Sequence, residues 1–203
     1  MTNWAVVVEG IGNLREFDAL KDEIRFNAMR AINTAARDYR KIGAERIRAQ
    51  INFPQNYFNP AAQRFYVSRE ASPGKLEARI TARGRATSLA RFVTGYTPGK
   101  KGVDLEVKTG QQTRIKSAFL IKLPAGRGPI DTKYNMGLAI RLKKGETLEN
   151  KRNVRRMAKG LYILYGPSVN QVFMAQSGKG VAKDLEPDIM DDMETEFLRL
   201  MGY

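Results

Sequence analysis

The chain has no cysteine and no histidine among its 203 residues. That removes thiol nucleophiles, thiolate metal sites, imidazole acid–base catalysis and the commonest zinc ligand together. It also gives no reason to expect an oxidising compartment. Tryptophan occurs once. No apolar run approaches the ~18 residues of a membrane helix, so no membrane partner is expected. The start, Met1-Thr2-Asn3-Trp4, has neither the basic beginning nor the cleavage site of a signal peptide. The expectation is a protein made in the cytoplasm.

What is abundant is positive charge. Lys and Arg outnumber Asp and Glu 35 to 21, a formal charge of +14. Such a surplus keeps a protein soluble and draws it towards polyanions or acidic proteins, without sequence preference. The charge is unevenly placed. Asp184 to Tyr203 holds seven acidic residues and one basic one, so that tail carries −6 and the rest +20. Opposite surfaces on one chain suit head-to-tail contact between copies. An acidic helix lying on its own basic body is the other reading.

Hydrophobic spacing then orders the chain. Trp4-Ala5-Val6-Val7-Val8-Glu9-Gly10 reads as a short strand, at a sheet edge because it is short and terminal. From Leu14 to Ile51, Phe17, Leu20, Ile24, Ala28, Ile32, Ala35, Tyr39, Ile42 and Ile47 recur mostly at three and four, the stripe of an amphipathic helix. Gly43 lowers its helical preference by about 1 kcal/mol and is a candidate bend. Asn59-Pro60 starts a short helix. Phe65–Val67 and the alternating Leu76–Ala82 flank Ser72-Pro73-Gly74-Lys75 and read as a hairpin. Gly84–Phe92 reads as a loop into a helical turn. Strands follow at Val103–Lys108, Ile115–Leu123 and Leu138–Leu142, and Leu161–Tyr165 is an apolar, strand-like run that drops into a Gly-Pro turn. Residues 141–160 read as a basic loop. Leu185, Ile189, Met193, Phe197, Leu200 and Met201 draw the apolar face of a last helix.

The fold class is therefore α+β: a long N-terminal helix packed on an antiparallel sheet or sandwich, with a C-terminal amphipathic helix. The expected divisions are an arm at 1–13, a body at 14–183 with the basic loop, and the acidic helix at 184–203.

Three Gly-Lys pairs, at Gly74, Gly99 and Gly178, lack the upstream glycine and following hydroxyl of a phosphate loop, and read as turns. Asp104, Glu106 and Lys108 share one strand face, the pattern of a magnesium-dependent nuclease; a wet strand face with paired charges is the plainer account. Lys143, Lys144, Lys151, Arg152, Arg155 and Arg156 form the best polyanion candidate. Without interleaved aromatics they suit DNA backbone or an acidic protein face rather than base stacking.

Four segments in order carry a resemblance. They are Gly84-Arg85-Ala86-Thr87-Ser88-Leu89-Ala90-Arg91-Phe92, the strand Val103–Lys108, Ile115-Lys116-Ser117-Ala118-Phe119, and Leu164-Tyr165-Gly166-Pro167-Ser168-Val169 with Gln171-Val172-Phe173. Together with the Ala-, Arg- and Asn-rich first helix, they resemble the phage minor tail protein Z family over residues 20–175. Ser117 stands where that family often has glycine, and Asn170 where it often has proline; residues 1–13 have no counterpart. The resemblance implies a virion protein without enzymatic activity or cofactor, which completes the tail and forms the neck of a long-tailed phage. It further implies a homo-oligomeric ring, sixfold to match the tail tube, between tail terminator and head-closure or connector proteins, with DNA passing through the lumen. Tyr165, Gly166, Pro167, Ser168, Val169, Phe173 and Phe197 are then the expected docking or inter-subunit residues. A basic DNA-binding protein without sequence preference and a metal-dependent nuclease are the alternatives.

Overall fold

The computed structural model describes residues 5–9, 22–123, 136–143, 145–148, 154–157, 160–175 and 180–203. In chain order its elements are β1 (Ala5–Glu9), α1 (Asp22–Gln50), β2 (Phe65–Arg69), β3 (Glu77–Ala82), β4 (Thr87–Ser88), β5 (Val93–Tyr96), β6 (Val103–Glu106) and β7 (Gln112–Ile115). They continue with β8 (Phe119–Lys122), β9 (Met136–Arg141), β10 (Val154–Arg156), β11 (Leu161–Gly166), α2 (Val169–Met174) and α3 (Val181–Met201). The class is α+β, with a long N-terminal helix, antiparallel sheets and a C-terminal helix.

The chain divides into two compact units. The first is Met1–Ile47, Asn56–Gly84 and Val169–Tyr203; the second is Arg48–Gln55 and Arg85–Ser168. This corrects the expectation of one body over 14–183 followed by a separate acidic helix. One boundary falls inside α1, at Ile47/Arg48, where no turn residue marks it, and another follows the Gly166-Pro167-Ser168 turn between β11 and α2.

The first unit pairs its strands in the order β1-β3-β2, all antiparallel, with Val7 opposite Arg79 and Tyr66 opposite Thr81. The hairpin and the edge position of β1 agree with the sequence reading. α1 opens with Asp22 and Glu23 and closes with Arg48, charges that suit its dipole. The expected segment from 14 to 21 lies outside the described residues. Its buried stripe is mostly alanine, with Ile32, Tyr39 and Ile47. Small side chains let neighbouring backbone approach closely. Gly43 takes this furthest: a Cβ there would sit 3.0 Å from Phe65 Cζ and 3.6 Å from Leu185 Cδ1. The helix runs unbroken past it, so the glycine makes room for Phe65. Phe65 in turn meets Phe173 of α2 edge-on at 4.8 Å and Phe58 at 6.2 Å.

Side-chain hydrogen bonds tie this unit across long sequence separations. Asn33, buried on α1, donates to the Ala71 carbonyl at 3.0 Å and accepts from the Ala71 amide at 2.7 Å. It thus behaves like a strand end for the hairpin loop. Asn27 donates to the Leu200 carbonyl at 3.3 Å, and Tyr39 donates to Asp192 at 2.6 Å. Arg46 donates to the Asp184 carbonyl and pairs with Asp188, both at 3.1 Å. α3 starts at Val181, earlier than the sequence placed it, and buries Leu185, Ile189 and Met193. Part of its acidic charge is therefore met inside its own unit, by α1.

The second unit holds two antiparallel groups of strands. One runs β5-β6-β7; the other runs β10-β11-β9-β8, with β4 also paired to β11. Val103, Leu105, Ala118, Leu138, Ala139 and Ile163 fill its interior, and Phe53 packs on Phe92 at 5.6 Å. Ile51 bridges to Lys108, and the Asn52 amide donates to the Val107 carbonyl at 2.9 Å. That joins the segment after α1 to the end of β6.

Two strand readings need correction here. Ile115–Leu123 is not one returning strand. β7 ends at Ile115, Lys116 and Ser117 turn, the Ala118 amide donates to the Ile115 carbonyl at 3.2 Å, and β8 then pairs with β9. The basic stretch 141–160 is not wholly loop either. Val154–Arg156 forms β10, with Arg155 opposite Ile163 and Arg156 opposite Tyr162.

Candidate functional site

Two of the segments that carry the family resemblance meet within the second unit. Gly166 pairs with Thr87, and Tyr165 with Ser88. After that pair the chain tightens into a 3-10 turn, Leu89–Phe92. A Cβ on Gly166 would stand 3.0 Å from Leu89 Cδ2 and 3.3 Å from Phe92 Cε2. Glycine is required there because the turn of one segment rests directly on the other. Ala118 is fully buried, and its carbonyl accepts from the Gly102 amide at 2.9 Å. So the Gly84–Phe92 segment and the Tyr165-Gly166-Pro167 segment, about 75 residues apart in the chain, form one packed junction.

This placement separates the expected docking residues. Tyr165, Pro167 and Phe197 are half-buried. Gly166, Ser168, Val169 and Phe173 are buried. For these four the docking assignment is corrected. Gly166 closes the junction, and Val169 and Phe173 lie on the inner face of α2, where Phe173 meets Phe65 edge-on. An apolar side chain so enclosed stabilises its own unit and offers no surface to a second chain.

Of the basic cluster, Lys143, Arg155 and Arg156 are exposed. Lys144, Lys151 and Arg152 lie outside the described residues. Arg155 and Arg156 sit on β10, the last strand of its sheet. Charge on an edge strand discourages unwanted strand addition, and among the described residues neither guanidinium group has a carboxylate partner.

The acids proposed for metal chemistry are otherwise engaged. Arg114 donates to both Asp104 oxygens at 2.8 Å, and Glu106 accepts from the Gly110 amide at 2.8 Å, closing the turn after β6. Among the described residues no three side chains of the metal-ligating types cluster. The Gly99-Lys100 pair is the turn it was read to be. Gly99 takes φ +77°, and the Lys100 amide donates to the Thr97 carbonyl at 3.1 Å. Gly74 likewise lies in the hairpin turn, where Ser72 and Lys75 bridge. Gly178 lies outside the described residues.

Sequence reasoning missed a groove in the second unit, ≈ 550 Å³ in volume. Lys100, Lys101, Lys122 and Arg141 surround it; Tyr96, Phe119, Leu120 and Met136 give it an apolar lining. No acidic residue is among the described residues that line it. None of its four cations has a carboxylate partner among the described residues. Its parts come from β5, the turn after it, β8 and β9. The one signal available was Lys100-Lys101 at the tip of a Thr-Pro-Gly turn.

Comparison with family models, curated proteins and solved structures returns no match for this chain. Among the described residues no helix is long and apolar enough to cross a membrane.

Proposed function

We propose that this chain is a tail-completion protein of a long-tailed phage, a structural component of the neck at the head–tail junction. It would act by assembly, as a homo-oligomeric ring between tail and connector with DNA in its lumen, and without catalysis. The observation that carries this reading is the packed junction of Thr87-Ser88 and Leu89–Phe92 with Tyr165-Gly166. Two segments that resemble the family separately are one structural feature here, so their joint occurrence is more specific than either alone. The edge strand β1 and the exposed acidic face of α3 supply surfaces for neighbouring copies.

The experiment is to purify phage particles carrying the protein with a C-terminal gold-binding tag and image them. Label at the head–tail junction is the expected outcome. Unlabelled particles, with the protein recovered on DNA in the lysate, would overturn it.

One observation favours a second reading. The second unit holds 19 Lys and Arg against 5 Asp and Glu, whereas the first holds 16 of each. The whole formal surplus of +14 therefore lies on one unit, as a DNA-binding module would place it. Retention of the isolated chain on duplex DNA, falling steeply with salt, would favour that reading.

A further inference from the structure

We propose that the basic groove of the second unit receives the outer face of α3 from a second copy of this chain, joining copies head to tail. The proposal rests on the homo-oligomeric part of the neck reading and names the two surfaces that would meet.

The outer face of α3 is set by spacing. Asp184, Pro187, Asp191, Glu194 and Leu198 recur at three and four, and all five are exposed. This stripe lies opposite the one that buries Leu185, Ile189 and Met193. Of the other α3 acids, Asp188 pairs with Arg46, Asp192 accepts from Tyr39 and Glu196 pairs with Arg199, while Glu186 is exposed but lies off this stripe. The side chains of Asp184, Asp191 and Glu194 have no cation among the described residues. The stripe is also apolar where an exposed acidic helix has no need to be. Leu198 is 43% exposed, and Met190 beside it 46%.

The groove matches this face in both respects. Its cations, Lys100, Lys101, Lys122 and Arg141, have no carboxylate of their own among the described residues, and Tyr96 stands 49% exposed at its side. A charged rim around an apolar centre is the composition of a protein interface. Complementary sign would steer the encounter and fix which face meets which. A phosphodiester backbone would satisfy the cations and leave Phe119, Leu120 and Met136 unmatched. A helix bearing Leu198 and Met190 between carboxylates satisfies both. The contact is heterologous, since groove and helix are different surfaces, so repetition builds a ring when the rotation closes.

The test uses the full chain and two charge reversals, Lys100→Glu with Lys101→Glu, and Asp191→Lys with Glu194→Lys. All four positions are exposed, and circular dichroism confirms that each double variant is folded. Sedimentation velocity at low and high salt reads association. The wild-type chain should self-associate at low salt. Each variant alone should associate at least about tenfold more weakly, because groove and helix then repel. Mixed in equal amounts, the two variants should recover association, since each groove then faces a helix of opposite sign. A monomeric wild type, variants that associate like it, or a mixture that does not recover would each overturn the proposal. So would a groove variant that loses retention on duplex DNA while self-association is untouched, which would make the groove a track for phosphate. Gold label away from the head–tail junction would remove the neck reading alone, because self-association is read on purified protein.

Discussion

The two units differ most in what their charges meet. In the first, α1 and α3 carry opposite charges to one another at Arg46–Asp188, and Tyr39 donates a hydrogen bond to Asp192. Arg37 pairs with Glu70, and the unit is neutral overall. In the second, Arg114 pairs with Asp104, but the cations of the groove and of β10 face outward without such partners among the described residues. Cores differ in the same sense. The first is built on one long helix and an aromatic series, Tyr57, Phe58, Phe65 and Phe173. Most strands of the second have four residues or fewer. The contrast teaches that solubility alone does not explain the charge. Were it a general solvating coat, both units would carry it.

The largest test of this contrast is Phe173→Ala. Phe173 is buried and packed edge-on against Phe65, so its loss should destabilise the first unit by about 3–5 kcal/mol. Denaturant unfolding followed by a probe in each unit should show one transition moving and the other fixed. Equal movement of both would mean that the units unfold as one. Next is Gly43→Val. Its side chain would meet Phe65 within van der Waals distance, and overpacking of this kind costs about 1–3 kcal/mol; an unchanged midpoint would show that Phe65 gives way freely.

Tyr39→Phe should cost about 1.5 kcal/mol, the low end for a hydrogen bond to a charged acceptor, because Asp192 is exposed. It also has a pH signature. Burial first, and then the bond to Asp192, push the Tyr39 phenol well above its ordinary value. The fold therefore keeps a proton that the unfolded chain releases near pH ~10. This stabilisation is complete below that pH and is lost as pH rises above it. The variant should flatten the alkaline loss in stability of the first unit. The smallest effect on stability is expected from Arg155→Glu with Arg156→Glu. Both residues are exposed on an edge strand, so the midpoint of the second unit should move by no more than about 0.5 kcal/mol. Infectious particles should nevertheless fall in a plaque assay, and an unchanged titre would remove β10 from the working surface.

Much of the first unit was legible because its signals are local. The three-and-four spacing of α1, the Ser-Pro-Gly-Lys turn of the hairpin and the Asn59 cap, which accepts from the Ala61 amide at 3.1 Å, are each contained in a few residues. The second unit was read less well, for physical reasons. Lys116-Ser117 turns without glycine or proline, so an apolar run conceals two strands of different sheets. β5 contains Gly95, which lets Asp104 approach to 3.2 Å of where its Cβ would be and weakens the strand pattern. β10 is flanked by charge and has three residues. The groove draws on segments from Tyr96 to Arg141, so no window of sequence contains it. Of the expected contact residues, Lys143, Arg155 and Arg156 are exposed, whereas Val169 and Phe173 are buried and look alike in sequence whether they face a partner or a core.

The pairing of β4 with β11 has a topological consequence. Residue 85 is where the chain enters its long excursion into the second unit, and residue 168 is where it leaves. Thr87 and Gly166, just inside those points, are opposite one another on adjacent strands. The excursion is thus a guest whose two ends are clasped together, and the host chain needs only a narrow gap between Gly84 and Val169 to accommodate it. Guests of this kind can lengthen, shorten or be exchanged while the host sheet and its helices keep their register. The short return at Arg48–Gln55 belongs to the guest as well, and Ile51 bridges it to Lys108. A relative with a different second unit would be expected to differ in that return as well.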